Sequence, residues 1–134
     1  MADPEAQSDQ PLRVLVVDAD DRVRESLTRL LEIGDRVLVV GSAGSPGEAM
    51  DLVASAKPDI VIVDPRLPEV DAGLAFITRL RAVAPGVRIL AMSWSDTLEH
   101  TALDGGADGF VRKTFRPADL VAAIVATKRR TDAA

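Results

Sequence analysis

Four short apolar runs each lead to a residue able to bind or transfer a charged group. LRVLVV (12–17) runs into Asp18, with Asp20 and Asp21 just beyond; DIVIVD (59–64) ends on Asp64; VRILAMS (87–93) ends on Ser93; GFVRK (109–113) ends on Lys113. Two chemistries fit these residue types. Asp18 and Asp20 stand as Asp-x-Asp after a strand, an arrangement in which the first acid attacks phosphorus and the second moves a proton. In the other, acids from two different strands meet, and Asp64 itself takes a phosphoryl group to form an acyl phosphate. Two neighbouring carboxylates repel unless a cation or proton intervenes, so that meeting calls for a hard, oxygen-seeking ion such as Mg²⁺. The ion, the Lys113 ammonium and the Ser93 hydroxyl would each hold one oxygen of the transferred group.

The elements that must position these residues are written in the hydrophobic pattern. Strand-like runs span 12–17, 36–43, 59–64, 87–93 and 109–113, and the central ones are almost continuously apolar, as strands covered on both faces are. Between them Val23, Leu27, Leu30 and Leu31 keep helical spacing, as do Ala49, Leu52, Val53 and Ala56, then Leu74, Ile77 and Leu80, and finally Leu120, Val121, Ile124 and Val125. Ser45, Pro46 and Glu48 form a capping box with proline at the first helical position, and Asp96 with Glu99 repeats the box before the fourth helix. Five β-α units of this length build a parallel sheet with helices on both faces. Such sheets bind ligands at the carboxyl ends of their strands, where strand order reverses. In the order 2-1-3-4-5 the first and third strands are neighbours, and Asp18 and Asp64 converge.

Composition narrows the function. The chain has 134 residues, enough for one domain with a real core. It contains no cysteine, which excludes disulfides and thiolate metal sites. A net charge of −5 with 3% aromatics argues against direct nucleic-acid binding by this segment. No apolar run approaches the ~18 residues of a membrane span, and the expected location is the cytoplasm. Residues 1–11 read as a disordered leader without signal-peptide character, residues 12–128 as the folded domain, and 129–134 as a tail or the start of a linker to a possible output domain. The KRR run at 128–130 is placed at a helix end, where cations suit the dipole. His100, the single histidine, is placed exposed on a short helix.

The stretches VLVVDADDRVRESLTRLLE, KPDIVIVDPRLPEVDAG, RILAMSWSD and GADGFVRK resemble the receiver domains of two-component response regulators over roughly residues 12–127, particularly receivers fused to helix-turn-helix output domains. The resemblance implies a flavodoxin-like (βα)5 fold with strand order 2-1-3-4-5 and a signalling role rather than an enzyme's. It implies Asp64 as phosphoacceptor for a histidine kinase, Ser93 as the switch hydroxyl, Lys113 as the phosphate-pairing cation and Phe110 as the switch aromatic. It assigns Mg²⁺ to Asp18, Asp64 and the backbone carbonyl of Arg66; Asp20 either joins the acidic pocket by a rearrangement of the loop or, as Asp21 could, caps the first helix. It also implies partner docking or homodimerisation through the fourth helix, fifth strand and fifth helix.

Four positions depart from that pattern. Ala19 stands where the family has a metal-binding acid, so the set loses an oxygen and a charge. Trp94 replaces a small residue at the phosphate entrance. Ala72 stands for a usual glycine, where a left-handed backbone would be strained. Thr114 follows the lysine in place of proline, and a trans bond is expected there. Three readings follow: a receiver with a weakened metal site, a phosphorylation-independent pseudo-receiver serving as an interaction module, and an aspartate-nucleophile phosphohydrolase using Asp18 with Asp20.

Overall fold

The computed structural model describes residues 10–114 and 116–129. Five strands, β1 (Leu12–Val17), β2 (Val37–Ala43), β3 (Ile60–Val63), β4 (Arg88–Ser93) and β5 (Gly109–Arg112), form one parallel sheet in the order β2-β1-β3-β4-β5. The helices are α1 (Asp21–Leu31), α2 (Pro46–Ala56), α3 (Val70–Val83), α4 (Glu99–Asp104), preceded by a 3₁₀ turn at Asp96–Leu98, and α5 (Pro117–Ala126). This is the flavodoxin-like architecture and strand order expected from the sequence. Residues 1–9 and 130–134, which hold most of the leader and tail assignments, lie outside the described residues. Lys128 and Arg129 follow the end of α5.

The sheet divides its apolar residues by strand parity, because successive side chains point to opposite faces. Leu15, Val17, Val61, Val63, Ile89 and Ala91 pack with Phe76, Ile77 and Leu80 of α3, Ala49 of α2 and Ala102 of α4. Val14, Val16, Ile60, Ile62, Leu90 and Met92 pack with Val23, Leu27 and Leu31 of α1 and with Leu120 and Ile124 of α5. Burying each Leu or Ile contributes roughly 1.5–3 kcal/mol. Because both faces are covered, the chemistry must come from the strand ends. Among the described residues no helix is long and apolar enough to cross a membrane.

Local signals set the helix boundaries. Ser45 caps α2 by accepting from Glu48 N, while Glu48 Oε1 reaches back to Gly44 N at 2.9 Å. Ahead of α4 the cap is Ser95, which accepts from Thr97 N at 3.2 Å; the box expected from Asp96 and Glu99 is displaced by this hydroxyl one residue earlier. A buried strut, Arg81 paired with Asp108, ties α3 to the turn before β5, where Gly106 takes a positive φ of 122°. Asp108 also receives Ile89 N at 2.8 Å.

The backbone strain expected at Ala72 does not arise. Ala72 is helical within α3, and among the described non-glycine residues only Lys57, at the end of α2, has positive φ. The constrained position is Gly73, where an added Cβ would lie 1.6 Å from the Pro65 carbonyl oxygen. Gly73→Ala is therefore expected to lose roughly 3 kcal/mol or more in urea denaturation, since the loop after β3 must move. Ala72→Gly should lose only about 0.5–1 kcal/mol, the helical cost of glycine. Stabilisation by Ala72→Gly would contradict this assignment.

Candidate functional site at the carboxyl edge of the sheet

Hydrogen bonds that prolong the sheet fix the site residues just past their strands. Asp18 N donates to Ala43 O at 3.0 Å, Asp64 N to Val17 O at 3.1 Å, and Lys113 N to Ser93 O at 2.8 Å. Asp18, Asp64, Ser93 and Lys113 therefore gather at one edge. Lys113 Nζ lies 2.7 Å from Asp18 Oδ2 and 2.8 Å from Asp64 Oδ2. The three side chains are 3%, 6% and 7% exposed for Lys113, Asp18 and Asp64.

The two carboxylates are held alike. Each gives one oxygen to Lys113 and the other to the backbone two residues on: Asp18 Oδ1 accepts from Asp20 N at 2.9 Å, and Asp64 Oδ1 from Arg66 N at 2.8 Å. Such Asx turns tie the loops to the carboxylates. Burial is the largest single influence on Lys113 and by itself lowers its pKa. Hydrogen bonds to Asp18 and Asp64, with the attraction of both charges, outweigh it and hold the ammonium above its ordinary 10.5. The stability this pairing contributes is thus fully present below pH 10.5 and is lost as pH rises through the higher folded-state value.

The remaining sequence-selected residues divide. Ser93 is buried at 1% exposure, and its Oγ accepts from Arg66 Nη1 at 3.0 Å. Trp94 is 53% exposed, with its ring centroid 5.1 Å from Lys113 Nζ, within cation–π range. Its carbonyl accepts from Arg112 Nη2 at 3.1 Å. Phe110 is half-buried against the α3-side core. His100 is exposed and pairs with Asp104 one turn on. The bond between Lys113 and Thr114 is trans.

Asp20 does not enter the pocket. It is the N-cap of α1, accepting from Arg22 N at 2.9 Å and Val23 N at 3.4 Å. An acid at this place satisfies orphan amides at the helix start, and that demand determines its direction. The Asp18–Asp20 pair needed for nucleophile and proton donor is therefore not assembled.

Sequence reasoning gave Arg66 a role only through its carbonyl and missed its side chain, which spans from the loop after β3 to the tip of β4. The signal was available: a second cation two residues past Asp64, in a pocket already one acid short.

A doubly wound parallel sheet with an acid–lysine cluster at its switch point defines the class of domain, and similarity to known proteins gives the family. Residues 14–125 match the response regulator receiver domain. Response regulator MprA of Mycolicibacterium vanbaalenii is 38% identical over 123 residues, covering 90% of this chain and 52% of that protein. The chain thus spans about half the length of the curated relatives it matches. A two-component response regulator of the LuxR family from Aurantimonas sp. is 35% identical with a TM-score of 0.78, covering 87% of this chain and 84% of that one. The signal receiver domain of response regulator NarL from Mycobacterium tuberculosis is 30% identical with a TM-score of 0.78, covering 87% and 94%. The chain belongs to the receiver-domain family of two-component response regulators.

Receiver domains generally bind Mg²⁺ at their phosphorylation site. The residues here do not fit that ion well. Ala19 offers a methyl group, Asp20 is occupied by the α1 cap, and both remaining carboxylates already share Lys113. Among the described residues no group of three or more His, Cys, Asp or Glu is placed to hold a metal.

The lysine is the keystone of the cluster. Lys113→Met removes the cation bonded to both buried carboxylates, and urea denaturation should show a loss of roughly 3–5 kcal/mol. A loss below about 1 kcal/mol, the value of a surface pair, would contradict the described geometry.

Proposed function

We propose that Asp64 accepts a phosphoryl group from a histidine kinase and that this modification switches the face formed by α4, β5 and α5. The observation that carries the reading is the buried carboxylate of Asp64 at the tip of β3, within 2.8 Å of Lys113 Nζ. In the transfer, an Asp64 oxygen forms a bond to phosphorus as the bond from phosphorus to the donor nitrogen breaks. The electron pair leaves on the histidine, and the product is an acyl phosphate.

Each neighbour then has a definite task. Lys113 keeps its contact with Asp18 and neutralises one phosphoryl oxygen, while the Ser93 hydroxyl moves onto another. Movement of Ser93 draws in the loop after β4 and, through sheet packing, the Phe110 side chain on β5; these are the two-state elements that the modification biases. Trp94 roofs Lys113 and narrows the approach to Asp64. The face presented by α4, β5 and α5 meets a second copy or an output partner, and promoter binding belongs to such a partner rather than to this acidic segment.

A second reading, an interaction module that works without phosphorylation, is favoured by one observation: Ala19 removes a ligand, and Asp20 is turned away into the α1 cap.

The two readings separate by intact-mass measurement after incubation with acetyl phosphate. Phosphorylation is expected to add the mass of one phosphate, and Asp64→Asn should abolish the gain while Asp20→Asn should not. No gain under any condition favours the interaction module, and a gain that survives Asp64→Asn contradicts the choice of acceptor.

A further inference from the structure

We propose that the Arg66 guanidinium supplies the positive charge that receiver pockets ordinarily take from a divalent metal, so that Arg66 and Lys113 together hold the anion on Asp64 and phosphorylation is metal-independent. This rests on the reading of Asp64 as phosphoacceptor.

The formal charges of the pocket carry the argument. Asp18 and Asp64 bring two negative charges, and Lys113 and Arg66 bring two positive ones, so the pocket is neutral as it stands. Asp20 and Asp21 lie outside this balance, the first capping α1 and the second paired with Arg24. With an acid at position 19 and a neutral side chain at 66, the same pocket would carry two uncompensated negative charges, which is the charge of one divalent cation. Ala19 and Arg66 together therefore remove the electrostatic need for the ion.

Geometry places the guanidinium where that charge is useful. Arg66 touches the pocket at both ends: its amide donates to Asp64 Oδ1 at 2.8 Å, and Nη1 donates to Ser93 Oγ at 3.0 Å. Among the described residues no carboxylate pairs with this guanidinium, whereas Arg24, Arg81 and Arg116 are paired with Asp21, Asp108 and Asp119. A guanidinium has five N–H donors in a planar fork that matches phosphate oxygens, and one of the five is used on Ser93. Lys113 approaches the anion from the buried side, at 3% exposure, and Arg66 from the exposed side. In the transfer from acetyl phosphate, the bond from Asp64 oxygen to phosphorus forms as the phosphorus–acetate bond breaks. The electron pair departs with acetate, and the balance requires no metal.

Two measurements test this. First, intact mass is followed over time with acetyl phosphate in EDTA and in excess MgCl₂. The chain should gain phosphate at similar rates in both. Arg66→Ala, a change at an exposed position, should slow the gain in EDTA by roughly tenfold or more, the factor for loss of a charge-assisted hydrogen bond; Arg66→Lys should retain most of the rate. Phosphorylation that stops in EDTA, or an Arg66→Ala chain as fast as the unaltered one, overturns the proposal. Second, calorimetric titration with MgCl₂ alone reads the ion without phosphorylation. The unaltered chain should show no saturable binding into the millimolar range, while Ala19→Asp combined with Arg66→Ala should bind. Micromolar binding by the unaltered chain, or none by the double variant, overturns the charge replacement. If neither buffer supports phosphorylation, the phosphoacceptor reading fails and this titration still decides the charge account.

Discussion

One ammonium group between two carboxylates holds the functional edge of this domain together. Lys113 reaches Asp18 and Asp64 at once, and each carboxylate uses its second oxygen to tie down the loop that follows it. Three strand ends and two loops are thereby coupled through one charge. Buried ion pairs are not intrinsically stabilising, because desolvation opposes the Coulomb gain. The cluster is tolerated because every charged atom in it has a partner and because the sheet beneath it supplies the stability. A modification that changes charge at Asp64 must then be felt at Asp18, at Lys113 and in the loop held by Ser93.

The sheet explains why those residues meet. Parity sends alternate residues of β1, β3 and β4 into two cores, leaving only the strand ends free for polar side chains. Order β2-β1-β3-β4-β5 then puts Asp18 beside Asp64. This much was legible in the sequence. Continuous Val and Ile runs mark doubly covered strands, and the periodic Val23, Leu27 and Leu31 mark the α1 face that closes one side. The residue types at the strand ends follow from the same reading.

What the sequence hid was direction, not location. For Asp20 the sequence left two places open, the pocket and the cap of the first helix, and the amides at the start of α1 decide for the cap. Position 72 stood out as a missing glycine, although the backbone contact that needs glycine falls one residue later, at Gly73 against Pro65. Ser95 displaced Asp96 as a cap for a similar local reason. Arg66 was the largest omission. A long exposed side chain has many rotamers, and only in the folded protein is it seen crossing to Ser93. Ala19 and Arg66 are far apart in kind when read along the sequence, and the fold brings both to the edge that holds Asp18 and Asp64.

The central claim is that Lys113 is the shared cation of Asp18 and Asp64. It is tested most directly by ¹⁵N NMR titration of the lysine side chains, of which the chain has three, Lys57, Lys113 and Lys128, with Lys113→Arg assigning the signal. The Lys113 ammonium should remain protonated beyond 10.5. A Lys113 signal that titrates at or below 10.5 would show that the two carboxylates do not share it.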